Sequence, residues 1–221
     1  MYGRTLITRV FWMIAVSALI VAMVGAAGAA PAQLNNQDVG KAETAVGDIV
    51  ADAFRAAAHT DAAFVSAGDL KPLSCPVGPG GIKATDLTAL LMYPGDMVVR
   101  MALDGGMIRQ ALETSVAGYS QPSLSFLQVS GIKFTFDPSR AAGQRVTSAT
   151  IGGASIVNEK SYTVAMLNSM AGGALGYWKV WSKRNIVAGT SPVTSTAAVE
   201  AYLKANSDPV LSAQGRINVS E

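Results

Sequence analysis

Apolar residues recur along this chain with two different periods, and the switch between them lays out its elements. Val46, Ile49, Val50, Ala53, Phe54 and Ala57 follow helical spacing, which predicts an amphipathic helix over residues 42–58. Residues 61–65 form a short apolar strand leading into Ser66-Ala-Gly-Asp-Leu-Lys71. The stretch 72–81 holds three prolines and three glycines and is expected to be loop. Thr85, followed by Asp86, suits a helix N-cap, predicting a short helix over 85–91. Met97, Val99, Met101 and Leu103 alternate as a strand, and Asp104-Gly105 turns it into a second amphipathic helix over 106–116.

A β-rich half follows, with strands expected over 127–129, 133–137, 145–151 and 162–167. Pro138-Ser139-Arg140 and Gly152-Gly153 supply turn chemistry between them. Residues 171–177 form a glycine-rich loop, 193–205 a last helix and 216–219 a closing strand. No repeat or linker divides residues 33–221, so the pattern reads as one α+β domain.

Composition changes the picture at the N-terminus. Arg4 and Arg9 precede an apolar run from Val10 to Val24, and small residues follow up to Ala30-Pro31-Ala32. That order is the pattern of a signal peptide over residues 1–32, with cleavage expected before Gln33 and a periplasmic or secreted product. The alternative is an uncleaved anchor, against which the apolar run falls short of the ~20 residues that span a bilayer; after cleavage no membrane association is expected. Without Arg4 and Arg9, 15 basic residues face 15 acidic ones, and no basic stripe suggests nucleic acid. An apolar fraction of 50% against 14% charged residues fits a folded chain with a sizeable core. Cys75 is the only cysteine, which excludes an internal disulfide and leaves either an inert or a functional thiol.

Candidate chemistry is sparse. One histidine, His59, and one cysteine are too few for a catalytic zinc or two-metal centre, so no metal or other cofactor is expected. His59 follows a helix end, where it suits the helix dipole. No G-x-S-x-G elbow, P-loop or D-x-D-x-D-G loop occurs. Ser130-Gly-Ile-Lys133 matches S-x-x-K, but alternation along 132–136 puts Ser130 and Lys133 on opposite faces. Asn218-Val-Ser220 forms a glycosylation sequon. What remains is a candidate ligand surface, where Tyr93, Tyr177, Trp178 and Trp181 lie beside loops and either stack on a ligand or cap the core.

An ordered series of segments resembles the C-terminal domain of the 5'-nucleotidase family. Glu43-Thr-Ala-Val-Gly47-Asp48-Ile-Val-Ala-Asp52-Ala53 is similar to its E-s-x-x-G-N-L-x-x-D-A opening, and residues 60–71 to T-D-A-A-x-x-N-x-G-G-I-R. Residues 103–116 resemble L-t-G-x-x-L-x-x-A-L-E-x-S-V, and 126–137 resemble f-L-Q-V-S-G-l-x-f-t-y-D. Tyr162-Thr-Val-Ala165, the 171–177 loop (A-G-G-G-D-G-Y in the family), Tyr202-Leu-Lys and Gly215-Arg-Ile217 complete a match from about residue 42 to 217.

The resemblance implies a layered α/β/β/α domain and, in the family, a nucleotide pocket that works with an N-terminal two-metal phosphatase domain; the matched segments leave no counterpart of that domain. The family's base-contacting Asn falls at Ser66 and one phosphate-binding Arg at Lys71, which keeps the charge but not the bidentate fork. The first stacking aromatic falls at Tyr93 and the second at Ser169, which cannot stack. The ribose-binding Asp falls at Leu175, which accepts no hydrogen bond, and the other phosphate Arg falls near Gly40. The resemblance thus implies an altered pocket near Tyr93, Lys71 and Tyr177. Three functions fit it: a non-catalytic module for a nucleotide or other small ligand, an accessory subunit for a separately encoded metallophosphatase domain, or a structural remnant with no small ligand.

Overall fold

The computed structural model describes residues 32–188 and 193–220; the expected leader lies outside them apart from Ala32. In chain order they form β1 (Ala32–Leu34), α1 (Ala45–Ala58), β2 (Ala62–Ser66), β3 (Cys75–Val77), α2 (Ala84–Thr88), β4 (Met97–Asp104), α3 (Gly105–Val116) and β5 (Leu127–Ser130). Then come β6 (Ile132–Phe136), β7 (Val146–Ile151), β8 (Ala154–Ser155), β9 (Ser161–Leu167), α4 (Asn168–Ala171), β10 (Val193–Thr194), α5 (Ser195–Ala205) and β11 (Ile217–Val219). No helix among the described residues is long and apolar enough to cross a membrane.

The fold is α+β, as the sequence pattern predicts. One sheet has the strand order β10-β4-β9-β2-β5 and a second the order β11-β6-β7-β8, while β1 and β3 form a separate ribbon. Strand β2 runs parallel to β9 and antiparallel to β5, and every one of its residues is buried. Two-sided burial explains its unbroken apolar run. Helix α1 packs on β2 and β5 and against α5, and α3 reaches from β4 to β7. The chain leaves the first sheet for the second at Gly131, the single residue between β5 and β6. Its φ of 73° and the nearness of the Asp61 carbonyl leave no space for a Cβ.

Caps decide where the helices begin. Helix α1 starts at Ala45 rather than 42 because the Thr44 hydroxyl accepts from Gly47 N–H at 3.0 Å. The same hydroxyl donates to Asn36 Oδ1 at 2.7 Å. Buried Gln128 completes this junction: its Oε1 accepts from Thr44 N–H, and its Nε2 donates to the Val39 and Ala42 carbonyls. Gln128 presses so closely on α1 that any Cβ at position 47 would overlap it. Asp104 caps α3 through Met107 N–H, and Thr194 caps α5 through Ala197 N–H.

Three expectations need correction. The segment 72–81 is not all loop, since Cys75–Val77 pairs antiparallel with Ala32–Leu34. A proline is tolerated there because a two-stranded ribbon is all edge. The helix expected over 85–91 stops at Thr88, because Leu90 accepts from Lys71 N–H and Leu91 bridges Leu70. The last helix begins at Ser195, Val193 and Thr194 being drawn into β10 by pairing with β4.

A charged cluster fastens the end of the chain to α1. The Glu43 carboxylate accepts from Gln214 N–H at 2.5 Å and Ile217 N–H at 2.8 Å. Arg216 pairs with Asp52 at 2.8 Å and donates to the Val129 carbonyl at 2.7 Å. Asp48 is fully buried beside them, its Oδ1 without a hydrogen bond and 3.6 Å from Arg216 Nε. Burial raises its pKa to about 8, only partly opposed by the Arg216 charge. The residue therefore favours the protonated form at neutral pH, at a position where the resembling motif carries the uncharged amide Asn.

Candidate functional site

The segment before α1 and the turn after β2 enclose a pocket of about 380 Å³. Gly40, Gly68, Met92, Tyr93, Ser123 and Leu124 form half of its wall. Tyr93 lies 52% exposed on its rim, beside Met92 at 42% and Leu124 at 64%. None of the residues lining it carries a charge. Such a surface suits a flat, largely apolar group stacked on Tyr93.

The candidate residues divide around this pocket. Tyr93 lines it directly. Leu175 reaches it from outside the wall: a Cβ at Gly68 would meet Leu175 Cδ1 at 3.0 Å and Leu124 Cβ at 3.5 Å. The place the resemblance gives to a ribose acceptor is thus an apolar contact over Gly68. Leu175 holds φ 56° within the tight turn Ala174–Lys179, and Gly173 and Gly176 also have positive φ. The expected glycine-rich loop is thus a set of short helical turns. Around Gly40, a Cβ would lie 3.2 Å from the backbone of Ser123, so that backbone occupies the space a longer side chain would need.

Ser66, Lys71 and Ser169 stand apart from the pocket wall. Ser66 is wholly buried and its N–H donates to Asp69 Oδ2 at 2.9 Å. Burial pushes the Asp69 carboxyl up to about 6, with the interactions from Ser66 holding it lower than burial alone would. Lys71 is not among the lining residues, and its amine donates to the Ala89 carbonyl at 2.8 Å. Ser169 is exposed at the start of α4, where its N–H donates to Asp96 Oδ2 at 3.1 Å.

Tyr177 is corrected from ligand surface to core. Its ring has no exposure, stacks on Trp181 at 4.8 Å, and its hydroxyl donates to the Ser125 carbonyl at 2.7 Å. Burial raises its pKa well above the ordinary value, so it stays a neutral donor. Trp181 is buried too and donates to the Met170 carbonyl, whereas Trp178 is 68% exposed. Of the four loop aromatics, two cap the core and two face solvent. Among the pocket residues that sequence reasoning missed are Pro122, Ser123 and Leu124, in a segment without periodicity. A lone leucine between Ser123 and Ser125 was the available signal.

Ser130 and Lys133 do not share a strand, since Gly131 puts them in different sheets. Ser130 Oγ lies 2.5 Å from Asp52 Oδ1 and donates its proton there, not to Lys133. Burial raises the Cys75 thiol to about 11, which disfavours its reactive thiolate. Among the described residues, no three His, Cys, Asp or Glu side chains are grouped so as to hold a metal ion.

Comparison with known proteins fits this geometry. The family model described as "5'-nucleotidase, C-terminal domain" matches residues 22–182. The chain is 30% identical over 200 residues to Protein 5NUC of Lutzomyia longipalpis, covering 80% of this chain and 34% of that protein. It is 31% identical over 129 residues to the snake venom 5'-nucleotidase of Naja atra, covering 54% and 24%. Among solved structures, the 5'-nucleotidase precursor of Thermus thermophilus superposes with a TM-score of 0.71 at 27% identity, covering 86% of this chain and 38% of that one. The chain therefore spans about a third or less of the relatives it matches. It belongs to the 5'-nucleotidase C-terminal domain family.

Proposed function

We propose that this chain is an exported recognition module, without phosphatase activity on its own, that binds a nucleotide-like or other small ligand by stacking a flat ring on Tyr93. The observation that carries this reading is the half-exposed Tyr93 ring on the rim of an uncharged pocket of about 380 Å³. Family membership supports a nucleotide-related ligand. The altered contacts at Gly40, Ser169 and Leu175 favour recognition of the base-like part over the phosphates. The signal-like residues 1–32 support export, and so does the venom source named for one relative.

A second reading is favoured by the apolar rim of Met92, Tyr93 and Leu124 together with the fraction of its relatives that the chain spans. In it, a separately encoded metallophosphatase domain covers that rim, and the chain acts as its accessory subunit. The third reading, a remnant without a small ligand, gains from burial of Tyr177 and Trp181 but leaves Tyr93 unexplained.

Thermal shift of the mature protein against nucleosides, nucleotides and nucleotide sugars tests the first reading. A ligand at 100 times its Kd adds about 2.7 kcal/mol. That raises Tm by roughly 5–10 °C for a domain of this size. The shift should vanish in Tyr93→Ala. No shift with any of these compounds at millimolar concentration would sink the reading. Phosphate release by the pure chain with Mn²⁺ or Zn²⁺ would overturn its non-catalytic part.

A further inference from the structure

A second, larger concavity opens at the other end of α1 and β2. It is a groove of about 930 Å³ between the C-terminal end of α1, the β5–β6 turn, the hairpin at Gly152-Gly153 and the segment preceding β11. Its charges are unequally satisfied. Asp52 is engaged, accepting from Ser130 Oγ, Arg216 Nη2 and, at 3.5 Å, the Tyr202 hydroxyl. Asp61 accepts from Thr163 N–H and Thr163 Oγ1, both at 2.8 Å, and these bonds hold its carboxyl below the usual range. Arg55 and Lys133 also face the groove, and neither side chain makes a hydrogen bond or ion pair among the described residues. A Cβ at Gly131 would stand 3.0 Å from Arg55 Nη1, so the absent side chain lets the guanidinium lie against the turn.

Two further features favour an anion there. The C-terminal end of a helix repels negative charge, but here Arg100 donates to the Ala58 and His59 carbonyls and offsets it. His59 ends α1 with φ 50°, a left-handed conformation in which glycine is the ordinary residue. Its imidazole therefore stands on the groove wall at some conformational cost and adds a ring donor.

We infer that this groove is a binding site for a phosphate-type oxyanion, held by the Arg55 guanidinium and the Lys133 amine with His59 beside them. Both groups form strong charge-assisted hydrogen bonds to such an anion, while the carboxylates on the same wall, Asp52 and Asp61, are engaged by protein donors. The site is independent of the Tyr93 pocket, which lies at the opposite end of a helix about 20 Å long.

Titration of the ¹⁵N-labelled mature protein with inorganic phosphate, sulfate and adenosine monophosphate at low ionic strength tests this. Phosphate should shift the Gly131, Gly152 and Gly153 amides along saturable curves. The double variant Arg55→Gln/Lys133→Gln should bind at least about 10-fold more weakly, having lost two charge-assisted contacts. The distant Lys179→Gln should bind phosphate as the parent does. Tighter binding of the monophosphate through the same amides would identify a phosphate ester as the ligand, and equal binding of all three a general oxyanion site. Absence of saturation up to tens of millimolar phosphate, or equal affinity in the double variant, would overturn the inference.

Discussion

The two ends of α1 handle their polar groups in opposite ways. At the N-terminal end, Thr44, Asn36 and Gln128 consume one another's hydrogen bonds in the interior, and nearby Asp69 accepts from Ser66 N–H while the buried Ser66 Oγ is left without a partner among the described residues. What faces the pocket is then uncharged and mostly apolar, with Tyr93 as its one large aromatic. At the C-terminal end the acidic groups are consumed, but Arg55 and Lys133 are left facing the groove. A motif residue can therefore mark a scaffold and not a site. Gln128, Ser130, Asp52 and Arg216 all fall in the family-like segments, and each is occupied in joining elements.

The comparison breaks most visibly at Gly47. Gly47→Ala forces a Cβ onto Gln128 and disrupts the whole N-terminal junction, an expected loss of about 3 kcal/mol in urea unfolding. A variant as stable as the parent would show that the junction yields without cost.

Asp48 gives the next effect. Its folded pKa of about 8 stands above the ordinary value of 3.8, so its favourable contribution is complete below pH 4 and is lost as pH rises through 8. Asp48→Asn should remove that decline, raising stability at pH 8 to 9 by on the order of 2 kcal/mol or more relative to the parent. The measurement is urea unfolding as a function of pH. Parallel curves for the two proteins would rule out the raised pKa.

The smallest effect separates two tyrosines at the pocket end. Tyr177→Phe removes the bond to the Ser125 carbonyl and should cost about 1 kcal/mol without altering any ligand-induced shift. Loss of ligand response in Tyr177→Phe at unchanged stability would return that residue to the binding surface.

Most of the fold was legible because its signals are local. The apolar spacing of α1 and α3, the alternation of β4 and the turn residues around β7 each act within a few residues. β3 was not legible, since Pro76 argues against a strand and the pairing that makes one comes from residues 32–34. Tyr93 was recognised by motif position, and its exposure agrees with a surface role. Tyr177 misled because a glycine-rich neighbourhood resembles a ligand loop, while the burial of its ring depends on Trp181 and Ser125. The oxyanion groove had no sequence signal, because Arg55 and Lys133 come to line one concavity only through the turn at Gly131.

The fastening of β11 to α1 bears on the order of events during synthesis. Glu43, Asp48 and Asp52 leave the ribosome well before their partners Gln214, Arg216 and Ile217, which are made 164 to 174 residues later. Until those arrive, Glu43 and Asp48 lack these native partners and Asp52 lacks its arginine. The nascent chain can form local helices and hairpins, but the domain closes only once residues 214–217 have emerged, with long-range contacts setting its rate.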